Sequence, residues 1–104
     1  MELPLVSLIV RTKNRPAFLK EALQSICGQT YPKIEIIVVN DGGECNVSKI
    51  VEGFISHVSA IQLIQLPIST GRSGAANAGL MHVTGEWAGF LDDDDLLETG
   101  EFNS

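Results

Sequence analysis

The chain has 104 residues, of which 44% are hydrophobic and 19% are charged, and its 13 Asp+Glu against 7 Lys+Arg give a formal net charge of −6. This length allows one small domain, and the acidic balance argues against a general nucleic-acid binder or anionic-membrane binder. No apolar run approaches the roughly 18–20 residues that a bilayer-spanning helix needs. Residues 86–104 hold seven acids and no Lys or Arg, so the excess negative charge is a local feature of that region.

The first half of the chain predicts two strands, each followed by a helix. Residues 5–10 are short, apolar and rich in β-branched side chains, which is typical of a strand buried on both faces. Apolar residues recur at helical spacing over 18–26. Residues 34–39 predict a second buried strand, and 47–58 show the clearest amphipathic helical pattern of the chain.

The second half repeats this alternation. Residues 60–66 alternate enough to predict a third strand that lies nearer an edge of the sheet. A Gly-rich turn is predicted over 69–74 and a short helix of small residues over 75–83, which permits close packing on a sheet. Residues 87–91 predict a fourth strand that runs directly into four aspartates.

Three further side chains are predicted to be buried. Trp87 and Phe90 are interpreted as part of the sheet core, and Cys27 closes an apolar helical pattern and is interpreted as a buried free thiol. Cys27 and Cys45 do not make a disulfide framework, so a reducing, cytoplasmic compartment is the default expectation.

The alternating order predicts an α/β fold, a Rossmann-like open parallel sheet with helices on both faces. In such sheets, ligands bind beyond the carboxyl ends of the strands. Polar residues lie at three of these ends, over 12–15, 40–43 and 92–95. With the strand order 3-2-1-4, the first, second and fourth strands are neighbours, so we expect these groups to converge on one crevice.

The four consecutive aspartates at 92–95 have two interpretations. Adjacent carboxylates repel one another, and a hard divalent cation such as Mg²⁺ or Mn²⁺ would relieve that repulsion through oxygen ligands. In an extended segment Asp92 and Asp94 project to the same side. The alternative is a solvated acidic turn that caps a following helix.

Other polar residues at the strand ends are equally open from pattern alone. Asp41, followed by two glycines, fits either a ligand acceptor or an Asx-turn. Arg72 fits either a contact to a phosphate or base oxygen or an exposed surface charge. Residues 12–15 fit a polar-ligand loop or a helix cap. The dinucleotide-binding, P-loop and nucleophile-elbow motifs are absent from the sequence.

Five segments of the sequence, taken together and in order, resemble the nucleotide-binding half of the family 2 glycosyltransferases. The segments are residues 6–19, 29–32, 36–43, 71–79 and 84–97. Members of that family are inverting enzymes with a GT-A fold. The resemblance therefore implies the N-terminal half of a GT-A fold and binding of a nucleoside-diphosphate sugar, commonly a UDP-sugar.

The resemblance also implies roles for individual residues in nucleotide binding. Thr12 and Asn14 match the loop beneath the nucleotide, and Asp41 matches the aspartate that binds the base. Arg72 matches an arginine that contacts the base or a phosphate.

The resemblance places the metal at the aspartates. Asp92 and Asp93 match the positions that face the ribose and the metal-bound waters, and Asp94 matches the direct metal ligand, so Asp92 and Asp94 are the metal-site candidates. The implied cofactor is Mn²⁺ or Mg²⁺, which assists departure of the nucleoside diphosphate as a Lewis acid.

The chain departs from the family pattern at three positions and in length. Arg11 stands where proline is common, Lys13 where an aromatic residue is common, and Ala76 where arginine is frequent. The family fold needs a longer chain, because the acceptor site and the general base follow the metal motif. We therefore expect residues 1–104 to be a truncated nucleotide-sugar-binding subdomain, with no catalytic base of its own and no activity alone.

The alternative function is a non-catalytic α/β module with a degenerate nucleotide site, which self-associates through the exposed edge of the fourth strand. A receiver-like phospho-acceptor domain would need acidic residues after the first strand. Residues 12–15, which follow that strand here, are Thr, Lys, Asn and Arg. For the parent enzyme we expect a saccharide, lipid or protein acceptor and no nucleic-acid partner. We expect it in the cytoplasm or peripherally at the inner face of the membrane, with no transmembrane segment.

Overall fold

Four parallel strands form the sheet that positions the candidate site. The computed structural model describes residues 3–29, 31–44 and 46–92. Its strands are β1 (Val6–Thr12), β2 (Ile34–Asp41), β3 (Ala60–Leu66) and β4 (Trp87–Asp92). They lie in the order β3-β2-β1-β4, and every neighbouring pair is parallel. The predicted order 3-2-1-4 is confirmed.

Three helices make the connections between the strands. They are α1 (Pro16–Cys27), α2 (Ser48–Glu52) and α3 (Gly71–Leu80), and a 3₁₀ turn (Ile55–His57) follows α2. Pro16 occupies the first turn of α1, where its missing N–H has no intrahelical partner to lose. None of the helices in the described residues is long and apolar enough to cross a membrane.

The two faces of the sheet carry separate apolar cores because successive side chains of a strand point to opposite faces. On one face, Leu8 and Val10 of β1 pack with the buried side of α1 and with Val51 of α2. On the other face, Ile9 packs with Ile37, Val39 and the Ala75 methyl of α3. Helices therefore cover both faces, as predicted.

α3 comes unusually close to the sheet. A Cβ placed on Gly79 would lie 2.5 Å from Cγ2 of Ile9, so only hydrogen fits at this position. The prediction that small residues let this helix pack closely is thus confirmed.

The helix predicted over 47–58 is wrong in length. α2 ends at Glu52, and the chain continues through Gly53 and Phe54 into the 3₁₀ turn. Glycine disfavours a helix interior, and this one ends the α-helical hydrogen bonding. Val47 and Val51 are nevertheless buried, as the apolar pattern predicts, whereas Ile55 is 56% exposed.

The burial predicted for Trp87 and Phe90 is also wrong. Trp87 is 65% exposed and Phe90 is 37% exposed. Both lie on β4, which is an edge strand of the sheet among the described residues. Cys27 is only partly buried, and burial still raises the pKa of its thiol.

Candidate functional site

The carboxylate of Asp41 holds the N-terminus of α3. Its Oδ1 accepts hydrogen bonds from the backbone N–H of Thr70 at 2.7 Å and from the Thr70 hydroxyl at 3.0 Å. Its Oδ2 accepts from the backbone N–H of Gly71 at 3.0 Å and from the Ser69 hydroxyl at 3.3 Å. Because the first amides of a helix have no intrahelical acceptor, a carboxylate from β2 caps α3 and matches its dipole.

This cap explains why α3 begins earlier than the sequence pattern predicts. The helix starts at Gly71, within the turn predicted over 69–74, and ends at Leu80 instead of 83. Asp41 forms these contacts to a distant segment, so the Asx-turn interpretation does not account for its side chain. Asp41 lies 29 residues away from Thr70 in the sequence, so no local motif predicts this cap.

Arg11 of β1 lies between two carboxylates from the neighbouring strands. Its Nε donates to Oδ2 of Asp41 at 2.9 Å, and its Nη1 donates to Oδ1 of Asp92 at 3.5 Å. Arg72, in the first turn of α3, pairs with the other oxygen of Asp92, with Nε 2.6 Å from Oδ2. We call Asp41, Arg11, Asp92 and Arg72 the charge cluster. It joins the carboxyl ends of three strands, where the strand order predicts convergence.

Within the charge cluster, Asp41 and Arg11 each favour the charged form of the other. Burial opposes ionisation of Asp41, but hydrogen bonds from Thr70 and Arg11 outweigh it and hold the pKa of Asp41 below its usual range. Burial likewise opposes the charge on Arg11, but the carboxylates of Asp41 and Asp92 raise its pKa above the ordinary value. Asp41 and Arg11 therefore form an ion pair at neutral pH.

The loops after β1 and β2 are joined beside this cluster. The Asn14 side-chain oxygen accepts a hydrogen bond from the backbone N–H of Glu44 at 2.7 Å. Asn14 adopts a left-handed conformation with φ of 55°, which asparagine tolerates better than most residues. Thr12 is 1% exposed, so its side chain lies inside the protein. The position predicted for it beneath the nucleotide is therefore not an open surface.

Gly42 brings the end of β2 against the segment before α3. Its φ is +72°, and a Cβ there would lie 2.8 Å from the Cα of Ser69. The pattern suggests that the glycines let the backbone approach a ligand, but Gly42 approaches the protein's own chain. It thereby allows the backbone near Asp41 to meet residues 69–71.

The sequence of the chain matches a known protein family. The model of glycosyl transferase family 2 matches residues 7–103. The chain belongs to this family.

Relatives of this family 2 chain agree in sequence and in fold. It is 36% identical over 100 residues to an uncharacterized glycosyltransferase, EpsJ, of Bacillus subtilis, covering 96% of this chain and 29% of that protein. The Staphylococcus aureus TarS 1-349 structure in complex with UDP superimposes with a TM-score of 0.84 at 29% identity, covering 94% of this chain and 30% of the TarS 1-349 chain. The Pyrobaculum calidifontis mannosyltransferase PcManGT, in complex with GDP-Man and Mn²⁺, gives a TM-score of 0.81 at 30% identity, covering 92% and 29%.

The chain spans about a third of the length of the curated relatives it matches. The superposition on TarS and PcManGT confirms the Rossmann-like arrangement of a GT-A fold. The match to the family model, over residues 7–103, includes all four residues of the charge cluster.

The metal candidates of this family 2 chain are only partly within the described residues. Asp92 is described, and Asp93 and Asp94 lie outside. No group of three or more His, Cys, Asp or Glu side chains that could hold a metal ion occurs within residues 3–29, 31–44 and 46–92. The carboxylate oxygens of Asp92 are of the kind that a hard cation prefers, and each of them faces a guanidinium group.

The sequence pattern misses the central residue of the cluster. In the sequence, Arg11 is notable only as a departure from the family's common proline. The one signal for its role is a charged residue that extends an apolar-rich strand toward the carboxyl edge, where two aspartates are predicted to converge.

Proposed function

We propose that this chain is the donor-binding part of an inverting glycosyltransferase, which binds a nucleoside-diphosphate sugar together with a divalent cation. The observation that carries the proposal is the charge cluster at the carboxyl edge of the sheet. It combines the carboxylate of Asp92 for a cation with the guanidinium of Arg72 for phosphate. The complexes of TarS with UDP and of PcManGT with GDP-Man and Mn²⁺ support this donor class.

Each residue of the charge cluster has a distinct proposed part. Arg72 is 66% exposed at its side chain, so its guanidinium is accessible to pair with diphosphate oxygens in a two-pronged geometry. Asp92 contacts the ribose and the cation through its carboxylate oxygens. Asp93 and Asp94 follow it in the sequence. A bound Mn²⁺ or Mg²⁺ would supply Lewis-acid stabilisation of the departing nucleoside diphosphate.

Asp41 is proposed to act through the protein groups that it holds. Its side chain is 0% exposed, and both oxygens accept hydrogen bonds from Arg11 or from residues 69–71. We therefore assign to it the positioning of Arg11 and of the α3 N-terminus beside the nucleotide. Asn14 holds the loop after β2 through its hydrogen bond to Glu44, and Thr12 is proposed to belong, with Asn14, to the loop beneath the nucleotide.

None of the 104 residues is assigned the role of general base. Inverting transfer needs a base that removes the proton of the acceptor hydroxyl as the new glycosidic bond forms. We expect this chain alone to bind donor without transferring sugar, with acceptor recognition supplied by other parts of a longer enzyme.

Calorimetric titration with UDP in the presence of Mn²⁺ tests the proposal. The wild-type chain should bind, and Asp92→Asn should weaken binding at least tenfold. Asp94→Ala should do the same. Glu86→Gln is the matched control, because it removes an exposed acid beside the opposite, amino end of β4. Absence of binding by wild type, or equal affinity of wild type and Asp92→Asn, would refute the proposal. Replacing UDP with GDP tests the preference for the nucleobase, and GDP is expected to bind more weakly.

A self-associating, non-catalytic module is the second candidate, and the exposure of β4 favours it. Trp87 is 65% exposed and Phe90 is 37% exposed on an edge strand, and apolar edges invite pairing with a second copy. Sedimentation velocity over a range of concentrations should then show a dimer that Trp87→Lys converts to monomer. A wild-type chain that stays monomeric throughout excludes this candidate.

A further inference from the structure

Both oxygens of the Asp92 carboxylate face a guanidinium group. Arg11 Nη1 lies 3.5 Å from Oδ1, and Arg72 Nε lies 2.6 Å from Oδ2. A cation that approaches Asp92 therefore meets two positive charges close to the same carboxylate. Like charges a few ångströms apart repel strongly where water is partly excluded, and Asp92 is only 12% exposed at its side chain.

We propose that Arg11 and Arg72 are resident counter-ions of Asp92, which make divalent-cation binding dependent on the nucleoside diphosphate. The inference rests on the proposed function and concerns how the same site is loaded. In the nucleotide-free chain the two arginines neutralise the carboxylate, so the cation alone binds weakly. The diphosphate adds negative charge and draws Arg72 away from Asp92, and the cation then binds tightly.

The two arginines differ in how freely they move. The Arg11 side chain is 19% exposed and is anchored by its 2.9 Å bond to the buried carboxylate of Asp41. The Arg72 side chain is 66% exposed and pairs with Asp92 from the open side of the cluster. Arg72 is therefore the exchangeable counter-ion, whereas Arg11 is the fixed counter-ion, which Asp41 holds beside Asp92.

Titration of Mn²⁺ alone, followed by the electron paramagnetic resonance signal of the free ion, measures the effect directly. Wild type should bind Mn²⁺ weakly, and Arg72→Gln should bind it at least tenfold more tightly without nucleotide. Arg11→Gln should do likewise, whereas Arg11→Lys retains the charge and should keep the wild-type affinity. Lys33→Gln, which removes a positive charge just before β2 at the opposite edge, should change nothing.

Addition of UDP provides the second arm. UDP should raise the Mn²⁺ affinity of wild type at least tenfold, and it should raise that of Arg72→Gln much less, because the exchangeable counter-ion is already absent. Circular dichroism checks that each variant is folded. If Arg11→Gln does not fold, Arg72→Gln, altered at an exposed side chain, decides the question.

The possible failures are distinguishable. Equal Mn²⁺ affinities of wild type, Arg72→Gln and Arg11→Gln, in a chain that does bind UDP with Mn²⁺, overturn the counter-ion assignment alone. An Arg11→Lys variant that binds Mn²⁺ as tightly as Arg11→Gln also overturns it, because the charge would then be irrelevant. A wild-type chain that binds no UDP with Mn²⁺ overturns the proposed function itself.

Discussion

Arg11 and Asp41 form an ion pair across two neighbouring strands, with Nε 2.9 Å from Oδ2. In the register of β1 and β2, Arg11 lies opposite Val39, so its side chain reaches two residues farther toward the carboxyl edge. Asp41 also caps α3. The pair therefore couples the centre of the sheet to the helix that presents Arg72.

The acid sensitivity of folding should depend on Asp41. Its pKa in the folded chain lies below its usual range. A group with a lowered folded pKa stabilises the fold above its unfolded pKa of about 4, and this contribution is lost as pH falls through the folded pKa. Asp41→Asn should cost about 2 kcal/mol at pH 7, since hydrogen bonds to charged groups contribute roughly 1.5–3 kcal/mol each.

Urea denaturation of wild type and Asp41→Asn between pH 7 and pH 3 measures this contribution. The stability difference between the two proteins should shrink as the solution becomes acidic, because wild type loses the charge that the variant never has. A difference that stays constant over this pH range would show that the pKa of Asp41 is the same in the folded and the unfolded chain.

Gly42→Ala should destabilise the chain by about 2 kcal/mol or more, on the order of a strained left-handed residue plus a backbone clash. The φ of Gly42 is +72°, and the new methyl group would meet the backbone of residues 68–69. Gly28→Ala is the matched control, because Gly28 has φ of −77° and its added Cβ would contact nothing closer than 3.4 Å. Thermal unfolding compares them, and an equal loss in both variants would contradict the prediction.

Much of the fold could be predicted because strand position and helix face follow from local periodicity. The buried strand over 34–39 is apolar at nearly every position, and β2 covers it with two polar residues added at its end. The predicted order 3-2-1-4 makes the first, second and fourth strands neighbours, so the polar residues at their carboxyl ends are expected to converge. Neither inference needs knowledge of contacts between distant segments.

What could not be predicted depends on contacts between distant segments. The start of α3 is set by Asp41 in another element, and the exposure of Trp87 is set by the absence of a neighbour beyond β4 among the described strands. The role of Arg11 can be recognised only from its contacts with Asp41 and Asp92. Periodicity records the faces of an element and carries no information about which distant side chain completes a cluster.

Glu35 is a buried side chain near the amino end of the sheet, and we expect it to stabilise the fold. It is 4% exposed. It accepts hydrogen bonds from the Ser7 hydroxyl at 2.7 Å, the Thr84 hydroxyl at 2.9 Å and the Thr84 backbone N–H at 3.2 Å. Glu35→Gln replaces a group that only accepts hydrogen bonds by an amide whose NH₂ group must face the Thr84 hydroxyl, which then has to accept, so it should cost about 1–3 kcal/mol.

The free energy of unfolding in urea measures this cost. Glu52→Gln is the control, because it neutralises an exposed carboxylate at the end of α2 and should change stability by no more than about 0.5 kcal/mol. Equal stabilities of the Glu35→Gln and Glu52→Gln variants would mean that the buried hydrogen bonds contribute nothing net.

The close approach of α3 to the sheet should appear as coupling between Gly79 and Ile9. Gly79→Ala places a methyl group 2.5 Å from Cγ2 of Ile9, and overpacking of this kind costs about 1–3 kcal/mol. Ile9→Ala alone leaves a cavity and costs about 2–5 kcal/mol. In the double variant, the methyl group added by Gly79→Ala enters the space that the Ile9 side chain vacates, so the loss should be smaller than the sum of the single losses by about 1 kcal/mol or more. Strictly additive losses in a urea double-mutant cycle would contradict the expected contact between the new methyl group and Ile9.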